Sequence, residues 1–141
     1  MTVLRYLPLL ALALAGARAG ADPAAAGDAL RGAEVFYSQC AACHLATARD
    51  PAPIGPQLYG VIGRRAGSWD SFNYTAAMRA AGFSWDRERL DVYLQNPYAL
   101  VPGAAMGLLV PVAENRTDVI AFLATLPEVL KQPARKPPAS P

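Results

Sequence analysis

The chain contains only two cysteines and one histidine, and all three lie within five residues. Cys40 and Cys43 are three positions apart and His44 follows directly, so the segment reads Cys-Ala-Ala-Cys-His. Residues three and four positions apart share one face of a helical turn, so this turn presents two thiols and an imidazole to the same plate-like partner. The grouping constrains the fold, because the rest of the chain must wrap around whatever these side chains hold.

This spacing is typical of covalent haem attachment. The thiols of Cys40 and Cys43 would form thioethers with the haem vinyl groups, and His44 would give the iron one axial nitrogen. We therefore expect one covalently attached haem c as the cofactor. Two alternatives remain at this point. A redox disulfide would require a strand leading into the pair within an α/β pattern, which we do not find, and a structural zinc site would lack its fourth ligand.

The first 21 residues predict an export signal. Arg5 precedes an apolar stretch over residues 7–15, and small residues follow over 17–21. Cleavage there would place the mature protein in the periplasm. The alternative is an uncleaved membrane anchor, although the stretch contains Pro8 and is shorter than the roughly 20 residues of a spanning helix.

Length and charge indicate one haem domain over residues 22–130 and a proline-rich, disordered tail over residues 131–141. The chain has 13 Lys and Arg residues against 11 Asp and Glu residues. Two arginines lie in the predicted signal, so the mature protein is formally neutral. Residues 22–130 contain no lysine. A neutral chain lacks the positive field that nucleic-acid binding requires, so we expect no such partner.

The hydrophobic pattern predicts an all-α fold of four to five short helices and long loops. Asp28 would cap a first helix that reaches the cysteines, and Gly32, Phe36 and Cys40 would share one of its faces. Residues 45–67 have no helical period and contain three prolines and four glycines. A loop this long is unusual in a small domain unless it wraps around something.

Three further helices are expected over residues 74–82, 86–96 and 115–126, the second of them stopped by Pro97. A loop should follow Pro97. Helices this short enclose little apolar volume, so a haem is expected to complete the core.

The second axial ligand of the iron is reached by elimination. With no other histidine or cysteine in the chain, methionine sulfur is the usual remaining ligand, and only Met78 and Met106 lie beyond the predicted signal. Met78 falls inside a predicted helix, where a core methionine is the ordinary interpretation. Met106 falls in a loop framed by proline and glycine, which leaves it freer to reach the haem. We therefore favour Met106.

The chain resembles the class I cytochromes c, in particular the mitochondrial and soluble bacterial group. The likeness covers about residues 27–126. Besides the cysteine motif, it rests on the following segments: Gly-Pro-Gln-Leu-Tyr-Gly at 55–60, Val-Ile-Gly-Arg-Arg-Ala-Gly at 61–67, Phe-Asn-Tyr-Thr at 72–75, Trp85, Tyr-Leu-Gln-Asn-Pro at 93–97 and Pro-Gly-Ala-Ala-Met at 102–106.

The resemblance implies the cytochrome c fold around one covalent haem, with roles for five further residues. The Pro56 carbonyl would accept the second ring N–H of His44. A haem propionate would be held by Arg64, Tyr74 and Trp85, while Tyr93 would face the Met106 side of the haem. The ordinary interpretation of such aromatic residues is core packing, which a buried propionate site also requires.

The chain departs from the family around its expected ligand loop. Ala104 and Ala105 stand where Thr-Lys is usual, and Leu108 replaces an aromatic residue. With no lysine in the domain, docking through a ring of lysines is in doubt. Seven arginines could substitute in part or could be an ordinary solvated surface: Arg31, Arg49, Arg65, Arg79, Arg87, Arg89 and Arg116.

The predicted function is one-electron transfer between periplasmic redox partners by Fe(II)/Fe(III) cycling, not enzymatic catalysis. The donor would be a dehydrogenase or a cytochrome complex, and the acceptor an oxidase or another reductase. Such a carrier would be a monomer when free, with membrane association only if the signal is retained. The main alternative is a dedicated haem subunit of a periplasmic dehydrogenase or oxidase. A peroxidase or gas sensor is less favoured, because no second histidine is present to act as a distal acid and base.

Overall fold

The computed structural model describes residues 26–47 and 54–126. Within these ranges the regular elements are helices, and an isolated antiparallel bridge joins Arg65 to Ser84. The all-α prediction is therefore confirmed. The predicted export signal over 1–21 and the tail over 131–141 lie outside the described residues. No described helix has the length and apolar character needed to cross a membrane.

The first helix, α1, spans Ala29–Val35 and continues into a π-helical segment over Phe36–Cys40. Asp28 caps α1 by accepting hydrogen bonds from the backbone N–H groups of residues 30 and 31. In the π-helical segment, the Ala41 N–H donates to the Phe36 carbonyl, 3.0 Å away. Single π-helical turns often occur at functional sites. This one carries the helix into the cysteine motif without a break.

Four more helices follow in the described ranges: α2 Ala76–Ala80, α3 Arg87–Gln95, α4 Pro97–Leu100 and α5 Ala113–Thr125. Helix α2 is shorter than predicted, since Thr75 caps it by accepting from the Met78 N–H. The prediction of a loop directly after Pro97 was wrong. Pro97 occupies the first position of α4, where its missing N–H costs nothing, and Asn96 caps that helix.

Helices α1 and α5 cross at Gly32. A Cβ atom on Gly32 would lie 1.9 Å from the Asp118 carbonyl oxygen, so only glycine permits this approach. Beside the crossing, the rings of Phe36 and Phe122 pack with their centroids 5.3 Å apart, and Leu123 is buried. The core therefore begins where the cysteine-bearing helix meets the last helix.

Arg116 differs from the sequence-based picture of a solvated surface arginine. Its side chain is buried, and its Nε donates to Asp91 at 2.7 Å. Its Nη1 donates to the carbonyls of Val110 and Pro111 at 3.1 and 2.9 Å. Arg116 therefore ties α5 to α3 and to the loop before α5, and it is not free to contact a partner.

Candidate functional site

The cysteine motif forms a turn that continues the π-helical segment. The backbone N–H groups of Cys43 and His44 both donate to the Cys40 carbonyl, at 3.0 and 2.9 Å. Cys40 is buried, Cys43 is half-buried, and neither forms a disulfide. Burial, with a smaller effect of Cys43, raises the pKa of Cys40 to about 11. Thioredoxin-like pairs have a lowered thiol pKa, so the raised pKa of Cys40 is opposite to the direction expected for a redox disulfide.

The loop of residues 54–58 fixes the His44 ring. His44 Nδ1 donates to the Pro56 carbonyl at 2.7 Å, which leaves the lone pair on Nε2. The Gly55 N–H donates to the Cys43 carbonyl at 2.9 Å, and a Cβ on Gly55 would lie 2.4 Å from His44 Cε1. Burial lowers the His44 pKa, the Pro56 hydrogen bond partly offsets this, and Arg64 lowers it slightly further. The ring is therefore neutral near pH 7, as a metal ligand must be.

A cavity of about 390 Å³ opens in front of these side chains. All nine residues predicted as site residues line it, although they come from five separate parts of the chain. Apart from a few polar groups, its walls are aliphatic and aromatic, including Phe36, Val61, Leu90 and Leu94. An apolar slot with two thiols and a neutral imidazole fits a haem attached through the motif.

Both candidate methionines line the cavity. Met78 is buried on α2, whereas Met106 is half-buried on the loop between α4 and α5 and packs against the core. That loop turns tightly at Gly103, where φ is +93°. A Cβ on Gly103 would lie 3.0 Å from the Ala77 Cβ, so the loop lies directly against α2. Lining the cavity does not by itself distinguish the two methionines.

Arg64 is held inside the cavity wall by its own loop. Its guanidinium donates to the carbonyls of Gln57 and Tyr59, at 2.6 and 3.3 Å, and its Cζ lies 5.0 Å from the centre of the Trp69 ring. Burial lowers the pKa of Arg64, with a small opposing effect of Tyr74. The cavity thus contains a partly desolvated cation, which an acidic ligand group would stabilise.

The aromatic site residues form one wall. The rings of Trp85 and Tyr93 pack edge to face, 5.0 Å apart, and both side chains are buried. Burial is the main cause that raises the pKa of Tyr93 to about 12, so its phenol keeps its proton. Burial also raises the Tyr74 pKa, although Arg64 and a backbone hydrogen bond to Trp69 oppose it.

Backbone pairing brings distant site residues together. The Trp85 N–H donates to the Arg64 carbonyl at 2.9 Å, and the Gly63 N–H donates to the Trp85 carbonyl at 2.7 Å. The Ala66 N–H donates to the Phe83 carbonyl at 2.9 Å. The long loop is therefore held against the segment before α3, which places Arg64 beside the aromatic wall.

Three residues of the site were not predicted individually from the sequence: Gly55, Gln57 and Trp69. Gly55 gives the His44 ring its room, the Gln57 carbonyl anchors Arg64, and Trp69 packs against the Arg64 guanidinium. Gly55 and Gln57 lie in the quoted loop motif, which was a usable signal. Trp69 has no local signal, because its contact depends on how the loop folds back.

Comparison with known proteins gives consistent results. A cytochrome c family model matches residues 29–127. The chain is 47% identical over 104 residues to cytochrome c2 of Rhodomicrobium vannielii, covering 72% of this chain and 81% of that protein. It is 44% identical over 108 residues to cytochrome c-type cyt cy of Rhodobacter capsulatus, covering 75% and 53%. It is 41% identical over 106 residues to cytochrome c of Arabidopsis thaliana, covering 73% and 93%.

The family match spans the cysteine motif, the cavity walls and every helix of the described ranges. The predicted cofactor, fold and general function agree with it. The chain therefore belongs to the cytochrome c family: it is a monohaem electron carrier with covalently attached haem c, its partners are redox proteins, and it is not an enzyme.

Proposed function

We propose that this protein is exported to the periplasm and works there as a free, monomeric one-electron carrier. Its haem would be attached to Cys40 and Cys43, with the iron between His44 and Met106. The observation that carries the proposal is that these four side chains line one largely apolar cavity of a single small domain. The bound haem iron supplies a one-electron Fe(II)/Fe(III) couple.

Neighbouring residues fix the tautomer and the position of the His44 ring, as an iron ligand requires. The Pro56 carbonyl holds the proton on Nδ1, so Nε2 carries the lone pair that an axial ligand needs, and the hydrogen bond increases its donor strength. Because Gly55 has no side chain, the ring can lie directly against the loop backbone. These contacts support His44 as a ligand fixed in advance, so that little rearrangement accompanies electron transfer.

Met106 would fill the second axial position. Its loop is tied down on both sides: the Ala104 N–H donates to the Val101 carbonyl and the Val110 N–H to the Leu94 carbonyl, at 2.9 and 2.8 Å. If His44 and Met106 both held the iron, no position on it would be open to a substrate. The bound haem would then supply one-electron transfer without substrate chemistry.

Arg64, Tyr74 and Trp85 would receive a haem propionate. The support is the desolvated Arg64 guanidinium, which an anionic group stabilises, and the phenol of Tyr74 nearby. Tyr93 would stand on the Met106 side, and its raised pKa keeps it available as a hydrogen-bond donor.

The test is to express the full chain in a host that matures c-type cytochromes and to release the periplasm by osmotic shock. We expect a red protein, shortened by about 20 residues, that elutes from gel filtration as a monomer. Retention in the membrane would show an uncleaved anchor. Co-elution with a larger complex in native extract would instead identify a dedicated haem subunit.

A further inference from the structure

Among the residues that the structure describes, 26–47 and 54–126, the exposed edge of the cavity is uncharged. Six described residues line the cavity and are exposed, and all six are uncharged: Gln39, Ile54, Asn73, Ala105, Gly107 and Leu108. Three of these, Ile54, Ala105 and Leu108, are apolar, and we call them the apolar rim. Ile54 and Leu108 expose 67% and 40% of their surface. Exposed apolar side chains that line one cavity indicate a contact surface.

Two neighbouring exposed residues extend the apolar rim. The Tyr98 hydroxyl would lie 3.8 Å from a Cβ placed on Gly107, so the phenol rests near the Met106 loop. Leu109 follows Leu108 directly, and both Tyr98 and Leu109 are exposed. Aromatic and aliphatic anchors without charge are typical of the centre of a protein interface.

The charged pairs of the described residues do not line the cavity. The acidic partners in these pairs are Asp28, Asp86, Asp91, Glu114 and Asp118, and neither they nor their arginines line the cavity. Arg79 is an exposed cation near the edge, and it donates to Asn73 and to the Tyr74 carbonyl. Within the part of the chain that the structure describes, a single arginine at this edge produces a weaker field than a cluster of basic residues would.

We propose that the apolar rim docks against an uncharged, apolar patch around the cofactor of a redox partner protein, so that apolar contact rather than charge attraction brings the two cofactors together. This inference rests on the proposed electron-carrier function. Charge-steered association slows steeply as salt screens the field. Docking through apolar contact has no such field to screen, and its rate changes little with salt.

The experiment follows oxidation of the reduced holoprotein by membranes of the source organism at about 10 and about 200 mM salt, a range over which screening becomes strong. We expect the rate constant to change by less than about threefold. Leu108→Lys should lower it by about tenfold, because a charge is then placed in an apolar contact. The second rim variant is Ala105→Glu, at an exposed position with no core contact to lose. It should also lower the oxidation rate constant.

Leu30→Lys is the matched control. Leu30 is 82% exposed, lies on α1 and does not line the cavity. The oxidation rate constant of the Leu30→Lys variant should therefore equal that of the unchanged protein. All variants must keep the haem, the midpoint potential and the methionine-to-iron absorption band. A tenfold or greater loss of rate with salt, or equal rates for both rim variants and the control, would overturn the inference while leaving the electron-carrier function intact.

Sedimentation experiments test two other binding partners of the apolar rim, a second copy of this chain and a lipid surface. A dimer that Leu108→Lys dissociates would show that the rim binds a second copy of this chain. Binding to phosphatidylcholine vesicles that the same substitution abolishes would show a lipid surface. Either result would overturn docking to a redox partner. Failure of the holoprotein to be oxidised by membranes or by hexacyanoferrate(III) would instead contradict the proposed function itself.

Discussion

At the scale of single residues, Met78 and Met106 show that residue type alone does not distinguish an iron ligand from a core side chain. Both residues line the same cavity. Met78 is fixed on a helix within the core, whereas Met106 is carried by a loop with its own hydrogen bonds. Ligand and packing roles therefore predict different results on substitution.

Met106→Ala should open the iron to cyanide or imidazole and lower the midpoint potential, because a sulfur ligand favours the reduced state. The half-buried side chain should also cost about 2 kcal/mol of unfolding free energy. The measurements are the methionine-to-iron absorption band, redox titration and ligand titration.

The matched control for that substitution is Met78→Leu, which conserves volume and should leave the absorption band and the potential unchanged. If Met78→Leu removes the band while Met106→Ala keeps it, the assignment of the two methionines is reversed.

At the scale of elements, the contact between α1 and α5 depends on one missing side chain. Gly32→Ala would place a carbon against the backbone of Asp118, which cannot yield as a flexible side chain could. We expect a loss of about 3 kcal/mol in unfolding free energy, measured by urea denaturation of the holoprotein. Gly107→Ala, which meets only the Tyr98 hydroxyl at 3.8 Å, should cost less than about 1 kcal/mol. Equal losses would contradict the close-approach argument.

The carboxylate of Asp118 on α5 links that helix to α1. Asp118 exposes 4% of its side chain, accepts from Arg31 Nε at 2.8 Å and from the Asp28 N–H at 2.6 Å. The hydrogen bond from Arg31 is the largest cause that lowers the Asp118 pKa, and the Asp28 N–H acts in the same direction. A carboxyl whose pKa is lowered on folding stabilises the fold above its unfolded pKa, about 3.9. This stabilisation is lost as the pH falls through the lower, folded pKa.

Asp118→Asn should therefore lower the unfolding free energy by about 1–2 kcal/mol at pH 7 and flatten the decline of stability between about pH 4 and pH 2. Thermal unfolding of the holoprotein across this range measures both effects. Glu114→Gln is the control, because that carboxylate is 74% exposed and lies 3.8 Å from Arg31. A variant Asp118→Asn with the same acid-side slope as the control would contradict this account.

At the scale of the whole molecule, the fold is built around a space that side chains do not fill. Without the haem, the largely apolar walls of this open cavity of about 390 Å³ would face water, at a cost of roughly 25 cal/mol for each Å² of exposed apolar surface. The net stability of a small domain is about 5–15 kcal/mol. The five described helices, none longer than 13 residues, cannot offset that loss by themselves, so the haem acts as part of the core.

Cys40→Ala combined with Cys43→Ala should give a haem-free chain that is mostly unfolded, with most of its helical circular dichroism lost and no cooperative transition. Ala42→Ser, at an exposed position between the cysteines, should attach haem and fold normally. A haem-free double variant with full helix content would contradict the role of the haem in the core.

The cysteine motif, the lone histidine, the capping residue Asp28 and the prolines and glycines of the loops act locally. The sequence by itself therefore determined the cofactor, the helical class and most helix positions. Chain-distant contacts were decided only in the tertiary structure: Trp69 against Arg64, Arg116 buried on Asp91, and the uncharged set of exposed residues that the structure describes at the cavity edge. Such contacts depend on how loops fold back across the molecule, and no local pattern of residues encodes that geometry.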